Sequence, residues 1–366
     1  MLGAGTGSLA AALAGCGYSE RAPNPSISLR ERAGRRNLTY GSEVTAGDLQ
    51  RDDAFAALIR RQCSAITPGM EFKWGFFQPR PEMLVTGPAD WLIDWARRSG
   101  LEVRGHPLIW HRNVPVWAPQ ALGDDGWRVF SERIESVLSR YGATVLEWDV
   151  VNEAVEPKHR RADGLRESLF LDRLGPEYVA KAFILAHQAA PQAKLFYNDY
   201  GVEFSTEAAE ARRAATLRLL ERLKSAGAPV HGLGLQGHLF THVPIDRKAF
   251  RNYLREVAGL GLAIRITELD VFDRIPAFIG DRDGRTASAV SNFLEVALDE
   301  PAVCGVTTWG LSDRYTDLRR RDPASRPLPY DEELRPKPMW EAVALAFDGA
   351  KPRAPWPISA AARNAS

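Results

Sequence analysis

Two short runs of β-forming residues each end on a glutamate: Leu146-Glu147-Trp148-Asp149-Val150-Val151-Asn152-Glu153 and Ile264-Arg265-Ile266-Thr267-Glu268. If both are parallel strands of one sheet, Glu153 and Glu268 share its carboxyl end, the edge at which enclosed α/β sheets assemble their active sites. Two carboxyl groups facing one cleft can divide acid/base and nucleophilic work on a glycosidic bond. Taken singly, each glutamate is better read as a cap for the following helix or the partner of a nearby arginine. The pairing is what carries the chemistry.

Positioning such a pair requires a regular succession of elements. From Leu38 onward, apolar β-branched runs alternate with longer stretches of helical period, the pattern of βαβ units. Eight strands are expected, near 38–41, 63–67, 103–108, 146–151, 194–197, 232–236, 263–267 and 304–309. Helices are expected over 48–61, 88–99, 127–141, 206–224, 285–299 and 338–347. Ser99-Gly100 and Ala226-Gly227 set glycine just past a helix, where a left-handed residue ends it. The regularity points to a single (β/α)8 barrel over residues 37–347. An open doubly wound sheet fits less well, since no glycine-rich turn follows the first strand as dinucleotide binding requires.

In a barrel the strand ends converge on one mouth, so their polar residues can be judged as a set. The third strand ends in His106, Trp110 and His111, the fourth in Asn152 and Glu153, and the fifth in Asn198, Asp199 and Tyr200. The sixth delivers Gln236 and His238, the seventh Glu268 and Asp270, and the eighth Trp309. Packing alone does not explain so many polar groups, because burying them without partners is costly. A metal site from His106, His111, His238 and His242 with Glu268 or Asp270 is disfavoured: His111 is expected to leave the mouth, and His242 lies in a loop. His238 and Asp270 instead read as a hydrogen-bonded pair beneath Glu268 that orients it and tunes its ionisation. No metal or other cofactor is expected.

Bulk properties narrow the partners. The 366 residues are 45% hydrophobic and 25% charged, with a formal net charge of +1. That balance gives no electrostatic case for a nucleic-acid partner, and the expected working form is a monomer. Ten tryptophans serve mostly as core, while their flat faces also suit stacking against sugars. Residues 1–20 form an apolar export segment, uncharged from Met1 to Tyr18 and too short for an ordinary transmembrane helix. Leu13-Ala14-Gly15-Cys16 resembles the lipobox of bacterial lipoproteins, which implies lipidation at Cys16 and a membrane tether outside the cytoplasm. No Lys or Arg precedes the apolar run, which suggests that translation begins further upstream. Residues 21–36 read as a tether, and 348–366 as a loose tail. Cys63 and Cys304 are expected to be buried free thiols.

The motifs around the glutamates are identifiable. Trp148 to Ala154 and Ile266 to Val271 resemble glycoside hydrolase family 10, the endo-β-1,4-xylanases. The resemblance runs from about Thr39 to Phe347 and takes in Arg104-Gly105-His106, Trp110-His111, Tyr197 to Tyr200, Gly234 to Leu239, Thr308 to Asp313 and Pro336-Lys337-Pro338. It implies an eight-fold barrel that cuts β-1,4-xylan internally with retention of configuration. Glu153 would be the general acid/base and Glu268 the nucleophile. One carboxyl must keep its proton while its neighbour is ionised, and the neighbour's charge favours that state. By the same match, Asn152 would bond the sugar 2-hydroxyl. Lys73, His106, Trp110, Gln236 and Trp309 would hold the sugar on the non-reducing side, and Tyr200 would line the other.

Departures from the resemblance concern the distal sugar. Gly69 and Met70 stand where the family usually carries a sugar-binding glutamate and asparagine, with Glu71 two positions late and turned to the opposite face in a regular strand. Asn113 replaces a glutamine, and Asp317 a second tryptophan. Chemistry should survive these changes, whereas affinity for unsubstituted xylan should weaken. Two further readings stand beside the xylanase: a hydrolase of β-glucan with the same mechanism, and a surface lipoprotein that binds glycans without turnover. A pure binder has no need of both carboxyl groups.

Overall fold

The computed structural model describes residues 23–274 and 281–356. Its centre is eight parallel strands: β1 (Thr39–Val44), β2 (Ala65–Pro68), β3 (Glu102–Gly105), β4 (Glu147–Asn152), β5 (Lys194–Asp199), β6 (Gly232–Leu235), β7 (Ala263–Phe272) and β8 (Val303–Thr308). Each pairs with the next, and β8 pairs with both β7 and β1, so the sheet closes and has no free edge. Two short additions extend the rim: Ile109–Trp110 pairs with β4, and His238–Phe240 with β7. The fold is the (β/α)8 barrel expected from the alternation.

Strand alternation sorts the side chains. On β1, Tyr40 points outward and meets Phe347 of the last helix, while Thr39 points inward and bonds Arg265 of β7. The outward residues and the apolar helix faces form one continuous core. Inside, a charged layer in which Arg104 and Arg265 both pair with Glu147 underlies the mouth. At the amino ends of the strands lie Phe196, Ala263 and Cys304. Cys63 and Cys304 are free and buried.

Helix ends follow local chemistry. Gly100 and Gly227 take φ of 64° and 68°, and each is followed by a residue whose N–H reaches back to the helix, Leu101 to Ala96 O and Ala228 to Leu223 O, both at 2.9 Å. This is the expected left-handed stop. The helix expected over 48–61 is two, Ala46–Arg51 and Asp53–Gln62. They break at Asp52, whose carboxylate accepts the Phe55 N–H at 2.9 Å and starts the second helix. The helix expected from Trp127 begins at Ala118 and bends at Asp125.

Two boundaries need correction. Residues 21–36 are not simply a tether: Leu29–Gly34 is a helix with Leu29, Arg32 and Ala33 buried, capped by Ser28. Residues 348–356 are not loose either. Asp348 pairs with Arg32, Asn37 Nδ2 donates to Arg353 O at 2.6 Å, and Trp356 packs on Phe196. In the first segment the scarcity of apolar residues hides the buried Leu29 and Ala33, and in the second the anchors are half-buried side chains that composition does not reveal. Cys16 and the export segment lie outside the described residues. No described helix is long and apolar enough to cross a membrane.

Candidate active site

Both glutamate-bearing strands are irregular where the glutamates leave them. On β4, Asp149 lies beside Phe196 and Val151 beside Tyr197, so Val150 is an extra residue. The bulge brings Asn152 level with Asn198 and turns it to the interior face that Asp149 already occupies. Glu153 follows with φ of 59°, a left-handed conformation that non-glycine residues seldom adopt. Two bonds hold it there: its N–H donates to Asn198 O at 2.8 Å, and its carbonyl accepts from Arg166 Nε at 2.7 Å. On β7, Ile266 lies beside Val306 but Leu269 beside Thr308, again one residue over. Consecutive residues therefore both reach Asn198: Thr267 Oγ1 donates to its Oδ1 at 2.7 Å, and its Nδ2 donates to Glu268 Oε1 at 2.8 Å.

Three amides join the carboxyl groups. Gln236 Nε2 donates to Glu153 Oε1 at 3.0 Å and to Asn152 Oδ1 at 3.2 Å. Asn198 Nδ2 donates to Asn152 Oδ1 at 2.9 Å as well as to Glu268. Asn152 thus uses its oxygen as a shared acceptor. The reverse orientation would set its nitrogen 2.9 Å and 3.2 Å from the other two amide nitrogens, donor against donor.

Glu268 is surrounded by imidazoles. His238 Nε2 is 3.3 Å from Glu268 Oε2, while its Nδ1 is 2.6 Å from Asp270 Oδ1. His106 lies 3.8 Å from Glu268 Oε1 and shares its Nδ1 with Asp149 at 2.9 Å. Burial pushes the Glu268 carboxyl up, but His106 and His238 outweigh it and hold the group below the usual range. Burial works against a charged His238, yet Asp270 and Glu268 raise it well above its ordinary value. The arrangement favours an ionised Glu268 against a cationic His238, with Asp270, whose own carboxyl burial pushes up, on the other imidazole nitrogen.

A cleft of about 450 Å³ opens over this pair. Lys73 Nζ sits between two indoles, 5.3 Å from the Trp110 ring centre and 5.8 Å from that of Trp309. Trp309 also meets His106 edge to face at 5.2 Å. On the far side, Tyr200 OH receives a bond from Arg166 at 3.0 Å, donates to Glu156 at 3.2 Å, and has Arg212 over its ring. Among the described residues no group of His, Cys, Asp and Glu is arranged to hold a metal ion.

Residues 28–346 match the family described as glycosyl hydrolase family 10. The chain belongs to that family. A β-1,4-xylanase of Dictyoglomus thermophilum is 35% identical over 303 residues, covering 78% of this chain and 83% of the relative. Native xylanase 10B from Thermotoga maritima superimposes with a TM-score of 0.80 at 31% identity, over 88% of this chain and 98% of that one. Xylanase 10B from Thermotoga petrophila RKU-1, solved in complex with xylobiose, gives 0.80 at 30% identity, over 89% and 98%.

In this family 10 hydrolase, Lys73, His106, Trp110, Asn152, Glu153, Tyr200, Gln236, His238, Glu268, Asp270 and Trp309 all line one cleft. His111 departs from expectation. It stays at the mouth, its Nδ1 3.8 Å from Glu153 Oε2, and burial with the nearby Arg166 charge lowers it to about 4. The Trp110 strand that pairs with β4 keeps the chain turned inward there. Glu71 lies in a turn beyond β2 rather than on the strand, accepting the Ala46 N–H at 2.7 Å. Two residues were missed as members of the site: Asn198, which bridges the halves, and Asp149, which anchors His106. Asn198 stood among the strand-end residues, but its role depends on bulges in other strands that composition does not reveal.

Proposed function

We propose that this family 10 hydrolase cleaves internal β-1,4 bonds of xylan and xylo-oligosaccharides by double displacement, with Glu268 as nucleophile and Glu153 as acid/base. The observation that carries the reading is the pair of carboxyl groups tied into one amide network, Gln236 on Glu153 and Asn198 on Glu268. Glu268, kept ionised by His106 and His238, is suited to attack the anomeric carbon while Glu153 gives its proton to the leaving oxygen. Water then attacks the glycosyl ester, Glu153 takes its proton, and Glu268 leaves as carboxylate. Asn152 would bond the 2-hydroxyl; His106, Lys73, Trp110, Gln236 and Trp309 would hold the sugar on the non-reducing side, and Tyr200 the other. The xylanase relatives and the xylobiose-bound neighbour support xylose polymers as the substrate.

At the distal sugar, Met70 Sδ stands 3.8 Å from Lys73 Nζ, and Asp317 and Arg321 border the cleft. Charged groups there in place of a second indole favour short or decorated chains over bare polymer. Export with a lipid anchor at Cys16 rests on Leu13-Ala14-Gly15-Cys16; loss of acyl labelling in Cys16→Ala tests it, and unchanged labelling overturns it.

Xylohexaose digestion followed by NMR is the test of the activity. The β-anomer should appear first, and Glu153→Ala and Glu268→Ala should each lower turnover by several orders of magnitude, about a thousandfold or more. Azide should rescue each variant as a single anomer, opposite between the two. Faster cleavage of cello-oligosaccharides would move the substrate to glucan, and undiminished turnover in either variant would remove that residue from the mechanism.

A further inference from the structure

Gly69 is glycine for room, not for backbone freedom: its φ lies outside the left-handed region, yet an added Cβ would overlap the Glu43 carboxyl, 2.6 Å from Cδ and 2.9 Å from Cγ. The two residues occupy one spot from neighbouring strands. Glu43 pairs with Thr67 across β1 and β2, and the Gly69 N–H donates to Val44 O at 2.9 Å, continuing the ladder. Alternation then places Glu43 in the inward row with Thr39 and Gly41, and Gly69 in the inward row with Thr67. Position 69 is where the resemblance led us to expect a sugar-binding glutamate. The carboxyl is present, but it arrives from β1.

Its surroundings suit a sugar. Glu43 is half-buried, and no described group hydrogen-bonds to its carboxyl. Burial raises it to about 8; Lys73 pulls it back, while Glu71, Asp48 and Asp317 push the same way as burial. Lys73 in turn lies between the faces of Trp110 and Trp309. Lys73, Trp110 and Trp309 line the cleft, and the Glu43 carboxyl lies close enough to Lys73 to feel its charge; together a carboxyl, an ammonium donor and indole faces match the vicinal hydroxyls and flat ring of a xylose unit.

We propose that Glu43 binds the distal sugar in this chain, supplied by β1 in the room that glycine at position 69 leaves, and so takes over the contact expected from position 69. This rests on the xylo-oligosaccharide reading above. The test compares kcat/KM for 4-nitrophenyl β-xylobioside, which fills the distal position, with that for 4-nitrophenyl β-xyloside, which does not. In Glu43→Ala the ratio of the two should fall roughly three- to tenfold, the size of a lost hydrogen bond to a neutral carboxyl. Gly69→Glu alone should crowd Glu43 and lower the melting temperature. The double variant Glu43→Ala/Gly69→Glu restores the arrangement expected at position 69 and should regain most of the ratio. An unchanged ratio in Glu43→Ala, or a double variant no better than Glu43→Ala, overturns the proposal. If the wild type hydrolyses neither glycoside, the proposed function fails, and xylobiose binding by calorimetry to the same variants decides the role of Glu43 separately.

Discussion

Glu268 owes its state to the imidazoles beside it. Buried without help it would hold a proton; His238 and His106 reverse that, and His238 can be cationic because Asp270 faces its other nitrogen at 2.6 Å. The chain of cause runs Asp270, His238, Glu268. Asp270→Asn keeps the shape and an acceptor for His238 but removes the charge. His238 should then lose its proton at lower pH, and Glu268 should lose part of the cation that holds it down, so its carboxyl rises. A nucleophile must be ionised, so the acid limb of kcat/KM moves to higher pH, with a loss of about tenfold or more on the acid side. A fall in rate with the acid limb unmoved would mean that Asp270 acts only by packing. Asp149 faces His106 Nδ1 at 2.9 Å, and Arg104 and His106 overcome burial and hold its carboxyl low.

Both glutamates sit where β4 and β7 gain a residue, and the strain of that arrangement is visible at Glu153, with φ of 59°. A left-handed L-residue costs roughly 1–2 kcal/mol that glycine does not incur. Glu153→Gly should therefore be more stable than Glu153→Ala by about 1 kcal/mol in urea unfolding, although both variants lose activity. If the alanine variant is equally or more stable, the turn is unstrained. The bulges also mark the limit of what the residues disclose. Alternating apolar runs and glycine stops located all eight strands and the ends of the helices at Gly100 and Gly227, because these follow from local preference. The bulge at Val150 is invisible in Asp149-Val150-Val151-Asn152, since it exists only relative to the register of β5. For the same reason Asn198 shows in the sequence as one polar strand end among several, and Asp52 is hidden as a cap inside an apparently continuous helix. His111 reads as leaving the mouth because a charged residue, Arg112, follows it, yet the chain stays at the cleft there.

The whole molecule separates chemistry from closure. The carboxyl pair lies at the carboxyl ends of the strands, while the other end is finished by the first and last described elements together: the helix Leu29–Gly34 packs on the last helix, Pro338–Gly349, and Arg32 pairs with Asp348. Beyond that helix, the Arg353 N–H donates to Arg36 O at 3.2 Å, and Trp356 meets Phe196 edge to face at 6.1 Å beside Ala263 and Cys304. Trp356 therefore covers the amino-terminal floor of the barrel, where enclosed α/β folds keep residues for stability rather than catalysis. A fully buried aromatic replaced by alanine costs 3–5 kcal/mol, and a half-buried one less, so Trp356→Ala should cost about 2 kcal/mol. It should also open the route to Cys304, whose thiol burial pushes up to about 11. The variant should melt lower and react faster with a thiol reagent at alkaline pH, while kcat/KM on xylohexaose stays within about twofold because nothing at the mouth has moved. Cys63 lies elsewhere in the core, so a Trp356→Ala/Cys304→Ser variant should lose the added reactivity. Loss of activity in step with stability would instead show that the floor supports the register of β4 and β7, and that the two ends of the barrel are one mechanical unit.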